Sequence, residues 1–257
     1  MYPKLIEFGE TFFLPTYGLL FASAVLIGWL WFTRRAVSLG LDNDRVFNLL
    51  FYTIVAGLLG AKLLMVLVEF QTIRADIAEL WRLLRSGGVL LGGVIVGAST
   101  FFLYARRSGM PVWTLLDALA APLILAQGIG RLGCFAAGCC WGRHVHEEHP
   151  LAVHFHRAET GVPLDTPLFP VQLFEAGFDL ALASVLTWQW RRRGALAEGS
   201  IWWLYVAIYG VGRIVLEFYR GDGVRGLWLG GHVSTSQALS VFAVLLALVM
   251  LWRGRRS

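Results

Sequence analysis

Tyr209, Arg213, Glu217 and Arg220 follow one another at steps of four, four and three, which sets all four on one face of a helix. Arg131 stands among glycines in Gln127-Gly128-Ile129-Gly130-Arg131-Leu132-Gly133, and Gln172 and Glu175 lie three residues apart in another apolar stretch. Guanidinium forks suit phosphate oxygens, and carboxylates beside them hold and orient the forks. The chemistry open to such a set is anion binding and stabilisation of charge on a phosphate. A second constellation is sulfur. All three cysteines fall in Cys134-Phe135-Ala136-Ala137-Gly138-Cys139-Cys140, and the adjoining stretch carries His144, His146, His149, His154 and His156. A disulfide from Cys134 to Cys139 or Cys140 is feasible in an oxidising compartment, and the odd count leaves at least one thiol unpaired. Cysteine and histidine at that density suit Zn²⁺ or Cu. The spacing fits no standard finger, so no metal is assigned; a redox or thiol-handling site and inert small residues are the other readings.

The elements that position these residues follow from composition. The 257 residues are 57% hydrophobic and 15% charged, against about 25% charged in soluble chains. A disordered chain, a nucleic-acid-binding domain and a small disulfide scaffold are excluded. Seven apolar stretches are long enough to cross a bilayer: 13–33, 47–69, 87–105, 113–133, 170–190, 199–219 and 237–252. The predicted fold is an all-α integral membrane protein, a single polytopic domain over 1–257 whose one long connection is 134–169. The first apolar run lacks the basic flank and small-residue site of a cleavable signal peptide. Basic runs follow alternate spans: Arg34-Arg35, Arg106-Arg107, Arg191-Arg192-Arg193, and Arg253 with Arg255-Arg256. The positive-inside rule then predicts the N-terminus outside and the C-terminus in the cytoplasm. The net charge of +5 accordingly marks topology more than an acidic partner.

With a rise of about 1.5 Å per residue, each polar residue acquires a depth. Arg131 falls near the outer end of span four, Gln172 and Glu175 in the outer part of span five, and Tyr209 to Arg220 in the outer half of span six. Tyr17 on span one, Lys62 on span two and the stretch from Gly87-Gly88 to Gly92-Gly93 on span three share that height. Ionisable residues inside spans are costly and indicate function when they face a bundle interior. The anion most available at that depth is a phospholipid headgroup. The plainer reading has Arg213 and Glu217 neutralising each other across one turn while Arg220 snorkels to the interface. Asp117 lies about 21 Å along the helix from Arg131, and Asp179 sits near mid-depth. Both are expected outside the layer, in structural hydrogen bonds. The glycines of 128–133 read as a packing face rather than a phosphate loop, since no Walker lysine accompanies them.

Gly130-Arg131-Leu132-Gly133-Cys134-Phe135, then Gly138 and Trp141-Gly142-Arg143, resembles the signature of prolipoprotein diacylglyceryl transferases. Tyr17-Gly18-Leu19, Gly57-Leu58-Leu59-Gly60, the Gly-Gly stretch of span three, Pro170 with Gln172-Leu173 and Glu175, and Tyr209-Gly210 with Arg213, Glu217-Phe218 and Arg220 are similar to further patches of that family, in the same order. Ser236-Gln237 stands where the last span begins. The resemblance implies a multi-pass enzyme of the bacterial cytoplasmic (inner) membrane that moves the diacylglyceryl group of phosphatidylglycerol onto the cysteine thiol of a prolipoprotein signal peptide. That is the first step of lipoprotein maturation, and the resemblance implies no cofactor and no nucleic-acid partner. It gives Arg131, Arg213 and Glu217 the catalytic roles. Tyr17, Gly92, Gly93, Gln172, Glu175, Tyr209 and Arg220 become substrate-binding residues. The sequence departs from the family pattern at four positions. Leu91 stands where a histidine usually precedes the Gly-Gly, Cys134 for the signature asparagine, Cys139 for the usual glutamate, and Phe169 for a histidine before the Pro-x-Gln element. Glu217, an ordered water or a thiol pKa lowered by arginine must then serve in place of the missing base. The alternative is a same-fold paralogue handling a thiol, a metal or a small solute through Cys134, Cys139 and Cys140.

Overall fold

The computed structural model describes residues 4–8, 12–77, 80–81, 83, 88–158, 160–223, 226–228 and 233–254. Gly87 and the Arg255-Arg256 pair lie outside the described residues. The apolar runs form α1 (Thr16–Val37), α2 (Asn43–Val68), the short α3 (Phe70–Ala75), α4 (Leu90–Arg107), α5 (Val112–Ala137), α6 (Val171–Arg191), α7 (Ser200–Glu217) and α8 (Thr235–Gly254). Each of the seven long helices coincides with one predicted stretch. By length and composition alone, α1, α2, α5 and α8 are long and apolar enough to cross a membrane. Two short antiparallel hairpins depart from the all-α expectation: β1 (Lys4–Phe8) with β2 (Phe12–Pro15), and β3 (Leu227–Trp228) with β4 (Val233–Ser234). Strands this short have too few residues to show a periodicity in the sequence.

The chain divides into two compact units, residues 33–115 and residues 1–32 with 116–257. In the first unit α2 opens earlier than residue 47 because Asp42 caps it, its carboxylate accepting the Arg45 backbone N–H at 2.9 Å. Span three opens later than residue 87, since Val89 is extended and its N–H donates to the Ala61 carbonyl at 3.0 Å. Here α2 and α4 meet glycine on glycine. A Cβ on Gly60 would lie 2.6 Å from the Gly92 carbonyl oxygen and from Val96 Cβ, and one on Gly92 would strike the Gly60 carbonyl. Small residues thus let two backbones approach where lipid gives helices no hydrophobic reason to associate. Lys62 Nζ donates to the Leu83 carbonyl at 3.4 Å.

In the second unit α6 packs on α5 and α7, and α7 on α8. A Cβ on Gly128 would meet Asp179 Cβ at 3.0 Å, and one on Gly210 would meet Val244 at 2.6 Å. The long connection has its own small core of Phe155, Val162 and Leu168, flanked by Phe135, Trp141, Val153 and Ala158. Its backbone is tied to the end of α7. Arg143 N–H donates to the Tyr219 carbonyl at 2.8 Å, Gly221 N–H to the Trp141 carbonyl at 3.0 Å, and Phe169 N–H to the Arg143 carbonyl at 3.0 Å. Gly142 sits in the middle of these ties. A Cβ there would strike the Phe169 carbonyl and lie 3.0 Å from the Tyr219 carbonyl.

Candidate functional site

Gln172, Glu175 and Asp179 recur at steps of three and four, so they share one face of α6, and all three are buried. That face meets Gln127 and Arg131 of α5 and Tyr209 and Arg213 of α7. Glu175 joins the two arginines: its Oε2 lies 3.1 Å from Arg131 Nη1 and its Oε1 2.8 Å from Arg213 Nη1. Arg213 Nη2 lies 2.6 Å from Glu217 Oε2, one turn along α7, and donates to Ser236 Oγ at 3.5 Å. Glu175 is only 4% exposed and Glu217 2%, so this network is shielded from solvent and its charges are compensated from within. The space enclosed by Gln127, Arg131, Glu175, Asp179, Tyr209 and Arg213 is about 10 Å³, close to the least that can hold one water.

Of the residues expected to share one depth, Arg131, Glu175, Tyr209, Arg213 and Glu217 are brought together. Asp179 corrects the expectation that placed it outside. It accepts from Gln127 Nε2 at 3.2 Å and lines the same cavity, because a residue one turn past Glu175 lies only about 6 Å deeper on the same face. Gln127 was not singled out in the sequence, although it stands one turn before Arg131 and its spacing could have shown it. Asp117 is structural as expected: its carboxylate accepts the Gly199 and Trp202 backbone N–H groups at 2.7 and 2.8 Å and so caps α7. Arg220 lies past the end of α7, where Asp222 takes its fork in a two-point pair at 2.9 and 2.6 Å. Asp222 is a partner that helical spacing alone does not predict. Gly92 and Gly93 belong to the other unit, where they close the contact between α2 and α4.

Gln172 links this network to sulfur. Its side chain is wholly buried, its Nε2 donates to the Cys139 carbonyl at 2.9 Å, and its Oε1 has no hydrogen-bond partner among the described residues. Cys134, Cys139 and Cys140 are free thiols whose sulfurs lie within 4.8 Å of one another, so none of the feasible disulfides is formed. Hydrogen bonds from the Cys134 and Cys139 thiols pull the Cys140 thiol below its usual range; burial opposes them, and the charges of Arg220 and Arg131 reinforce them. Tyr17 packs its ring against Gly133, where a Cβ would come within 3.1 Å of it, and lies in electrostatic range of Cys134 and Arg131. An apolar groove of about 930 Å³ runs along α6, α7 and α8. Phe178 and Leu216 line both this groove and the polar cavity, so the two spaces adjoin.

Residues 3–253 match the family model described as prolipoprotein diacylglyceryl transferase. The chain belongs to that family. It is 35% identical over 232 residues to the phosphatidylglycerol–prolipoprotein diacylglyceryl transferase of Clostridium tetani, covering 90% of each chain. It is 33% identical over 242 residues to the enzyme of Clostridium perfringens named phosphatidylglycerol–prolipoprotein diacylglyceryl transferase 2, covering 93% of this chain and 91% of that one. A Chloroflexus aggregans relative named as a phosphatidylglycerol–prolipoprotein diacylglyceryl transferase is 30% identical over 277 residues, 99% of this chain and 90% of its own. In this diacylglyceryl transferase family member the signature residues divide by role. Arg131 enters the ion network, while Trp141, Gly142 and Arg143 build the backbone ties to Tyr219 and Gly221. The departures from the family pattern also have places. Phe169 stacks on Phe174 at 4.8 Å and tilts against Tyr219 at 5.2 Å, which turns a polar position into an aromatic one. Cys134 and Cys139 bring sulfur where the pattern has an amide and a carboxylate, and Leu91 is half-exposed.

Proposed function

We propose that this chain transfers the diacylglyceryl group of phosphatidylglycerol to the cysteine thiol of a prolipoprotein signal peptide in the bacterial inner membrane. The observation that carries the reading is the pairing of Arg131 and Arg213 on the single carboxylate of Glu175, within a buried layer beside an apolar groove. All seven long helices cross the membrane in this reading, with the N-terminus outside and the C-terminus in the cytoplasm, because the basic runs follow alternate helices. The groove along α6, α7 and α8 takes acyl chains of the lipid, and the phosphate meets Arg131 and Arg213. The acceptor sulfur forms a bond to the terminal glyceryl carbon as that carbon's bond to the phosphate oxygen breaks. Glycerol phosphate leaves with the electron pair, and the two guanidinium groups stabilise its charge. Glu175 holds both forks in register, and Glu217 fixes Arg213 from the far side. Tyr17, Tyr209, Gln172 and Arg220 border the site; Gly92 and Gly93 are carried by family resemblance alone.

The test is rescue of a bacterial strain depleted of its own transferase, read as lipidated prolipoprotein by mobility and mass. Rescue by the wild-type chain with loss in Arg131→Ala and Arg213→Ala is the expected outcome. A correctly inserted wild-type chain that forms no thioether-linked product overturns the reading.

A further inference from the structure

The tightest group of metal-ligating atoms among the described residues is the trio of cysteine sulfurs, which the ion network does not use. Cys134 lies on the last turn of α5, and the chain then reverses at Gly138 (φ +79°) and Cys140 (φ +56°). A non-glycine residue at positive φ is uncommon and costs about 1–2 kcal/mol. The reversal is further pinned by Cys139 N–H donating to the Cys134 carbonyl at 3.1 Å and by Gln172 Nε2 donating to the Cys139 carbonyl at 2.9 Å. Its result is three thiols on one spot. A metal–sulfur bond of about 2.3 Å sets ligand sulfurs about 3.8 Å apart in a tetrahedron and about 4.0 Å apart in a trigonal plane. The three sulfurs, all within 4.8 Å of one another, stand close to that spacing.

We propose that Cys134, Cys139 and Cys140 bind a thiophilic metal ion of the Zn²⁺ class and that its open fourth position takes the acceptor cysteine. The second half of this inference rests on the transferase reading above. Three sulfur ligands and one free coordination position are the arrangement of a catalytic rather than a structural zinc site. A thiol that coordinates such an ion gives up its proton, so the acceptor arrives as a thiolate without a basic side chain. That supplies what the leucine at position 91 does not. The balance is simple: the acceptor proton goes to solvent, the sulfur–carbon bond forms, and the carbon–oxygen bond breaks with its electrons leaving on glycerol phosphate. The metal keeps its oxidation state throughout. Position favours the step, since Arg131 stands one turn before Cys134 on α5 and Gln172 one turn before Glu175 on α6. Three thiolates leave an excess of negative charge around a divalent ion, and Arg131 and Arg220 both lie within electrostatic range of Cys140 to offset it.

The experiment has a binding arm and an activity arm. The full chain is purified in detergent with Zn²⁺ present, its metal content is measured, and Co²⁺ is exchanged in to read the sulfur-to-metal charge-transfer band. Stoichiometric metal and a thiolate band in the wild type are expected, both lost in Cys134→Ser, Cys139→Ser and Cys140→Ser. Wild-type protein free of metal, or a triple serine variant that still holds it, overturns the site. In the second arm the unmutated protein is stripped with a chelator and assayed for lipid transfer, which avoids any folding defect of the variants. A loss of about a hundredfold, the scale of one acid–base catalyst, restored by Zn²⁺, is expected. Undiminished transfer by stripped protein overturns the catalytic role. Metal-loaded protein that binds stoichiometrically yet transfers nothing overturns the transferase reading and leaves the metal site standing.

Discussion

Changing Glu175 to glutamine keeps its shape but removes the one charge that joins Arg131 to Arg213. At 3.1 and 2.8 Å, with the carboxylate 4% exposed, each pairing has a Coulomb energy of about 5–6 kcal/mol at an effective dielectric of about 20. Bringing the carboxylate out of water offsets several kcal/mol of that sum. Removing one partner strands the others, and the net cost for a buried network is about 3–5 kcal/mol. For a chain of this size about 1 kcal/mol moves the melting temperature by about 2–4 °C, so Glu175→Gln is expected to melt about 6–20 °C lower in detergent. The same geometry makes a second demand. Glu175 stands where a lipid phosphate would pair with both guanidinium groups, so the phosphate competes with it in the wild type and substitutes for it in the variant. Phosphatidylglycerol is therefore expected to raise the melting temperature of Glu175→Gln more than that of the wild type, and uncharged diacylglycerol to raise both equally. The assay is a thermal-shift titration with the two lipids. A variant as stable as wild type, or one that gains no more from phosphatidylglycerol than wild type does, refutes the reasoning.

Other consequences are simpler to state. Arg131→Ala and Arg213→Ala are each expected to lower lipid transfer by about a hundredfold to a thousandfold, the scale of losing one charge-stabilising donor, in a detergent assay with phosphatidylglycerol; a loss under tenfold in both would detach them from the chemistry. Asp117→Ala removes the acceptor of two backbone N–H groups at the start of α7 and is expected to cost about 1–2 kcal/mol in thermal unfolding. Its transfer rate per folded molecule should equal wild type, and a selective loss of rate would put Asp117 in the site. Gly142→Ala is expected to break the ties between Arg143 and Tyr219, costing about 1–3 kcal/mol. Limited proteolysis should then cut within residues 144–168 faster than in wild type, and an unchanged cutting rate would count against the packing argument.

The seven long helices were legible because each coincides with a long run of apolar residues. Their ends were less so. Asp42 moved the start of α2 outward and Val89 moved that of α4 inward, and both effects depend on single hydrogen bonds. The site was half legible for a definite reason. Rise along an axis gives each residue a height, and it grouped Arg131, Glu175 and Arg213, which meet in one ion network. Rotation about the axis decides which neighbour a side chain meets, and nothing local in the sequence fixes it. Hence Glu175 as the joint between two arginines, Asp179 beside Gln127, and Asp222 on Arg220 emerged only from packing. The core of Phe155, Val162 and Leu168 was hidden for a similar reason, since its members are scattered through a stretch without periodicity.

The ties between Trp141–Arg143 and Tyr219–Gly221 set an order of assembly during biogenesis. A ribosome adding about 5–20 residues per second makes Arg143 several seconds before Tyr219, and two further helices, α6 and α7, are made in between. Throughout that interval the Arg143 amide lacks the carbonyl it bonds in the folded chain, and Gly142 lacks the Tyr219 side of its packing. The connection can gather its own core early, but it locks only when the last turn of α7 arrives. Completion of the late helices is thus recorded in the closure of an early loop, and the three thiols beside that loop reach their final setting only once the chain has been made past Gly221.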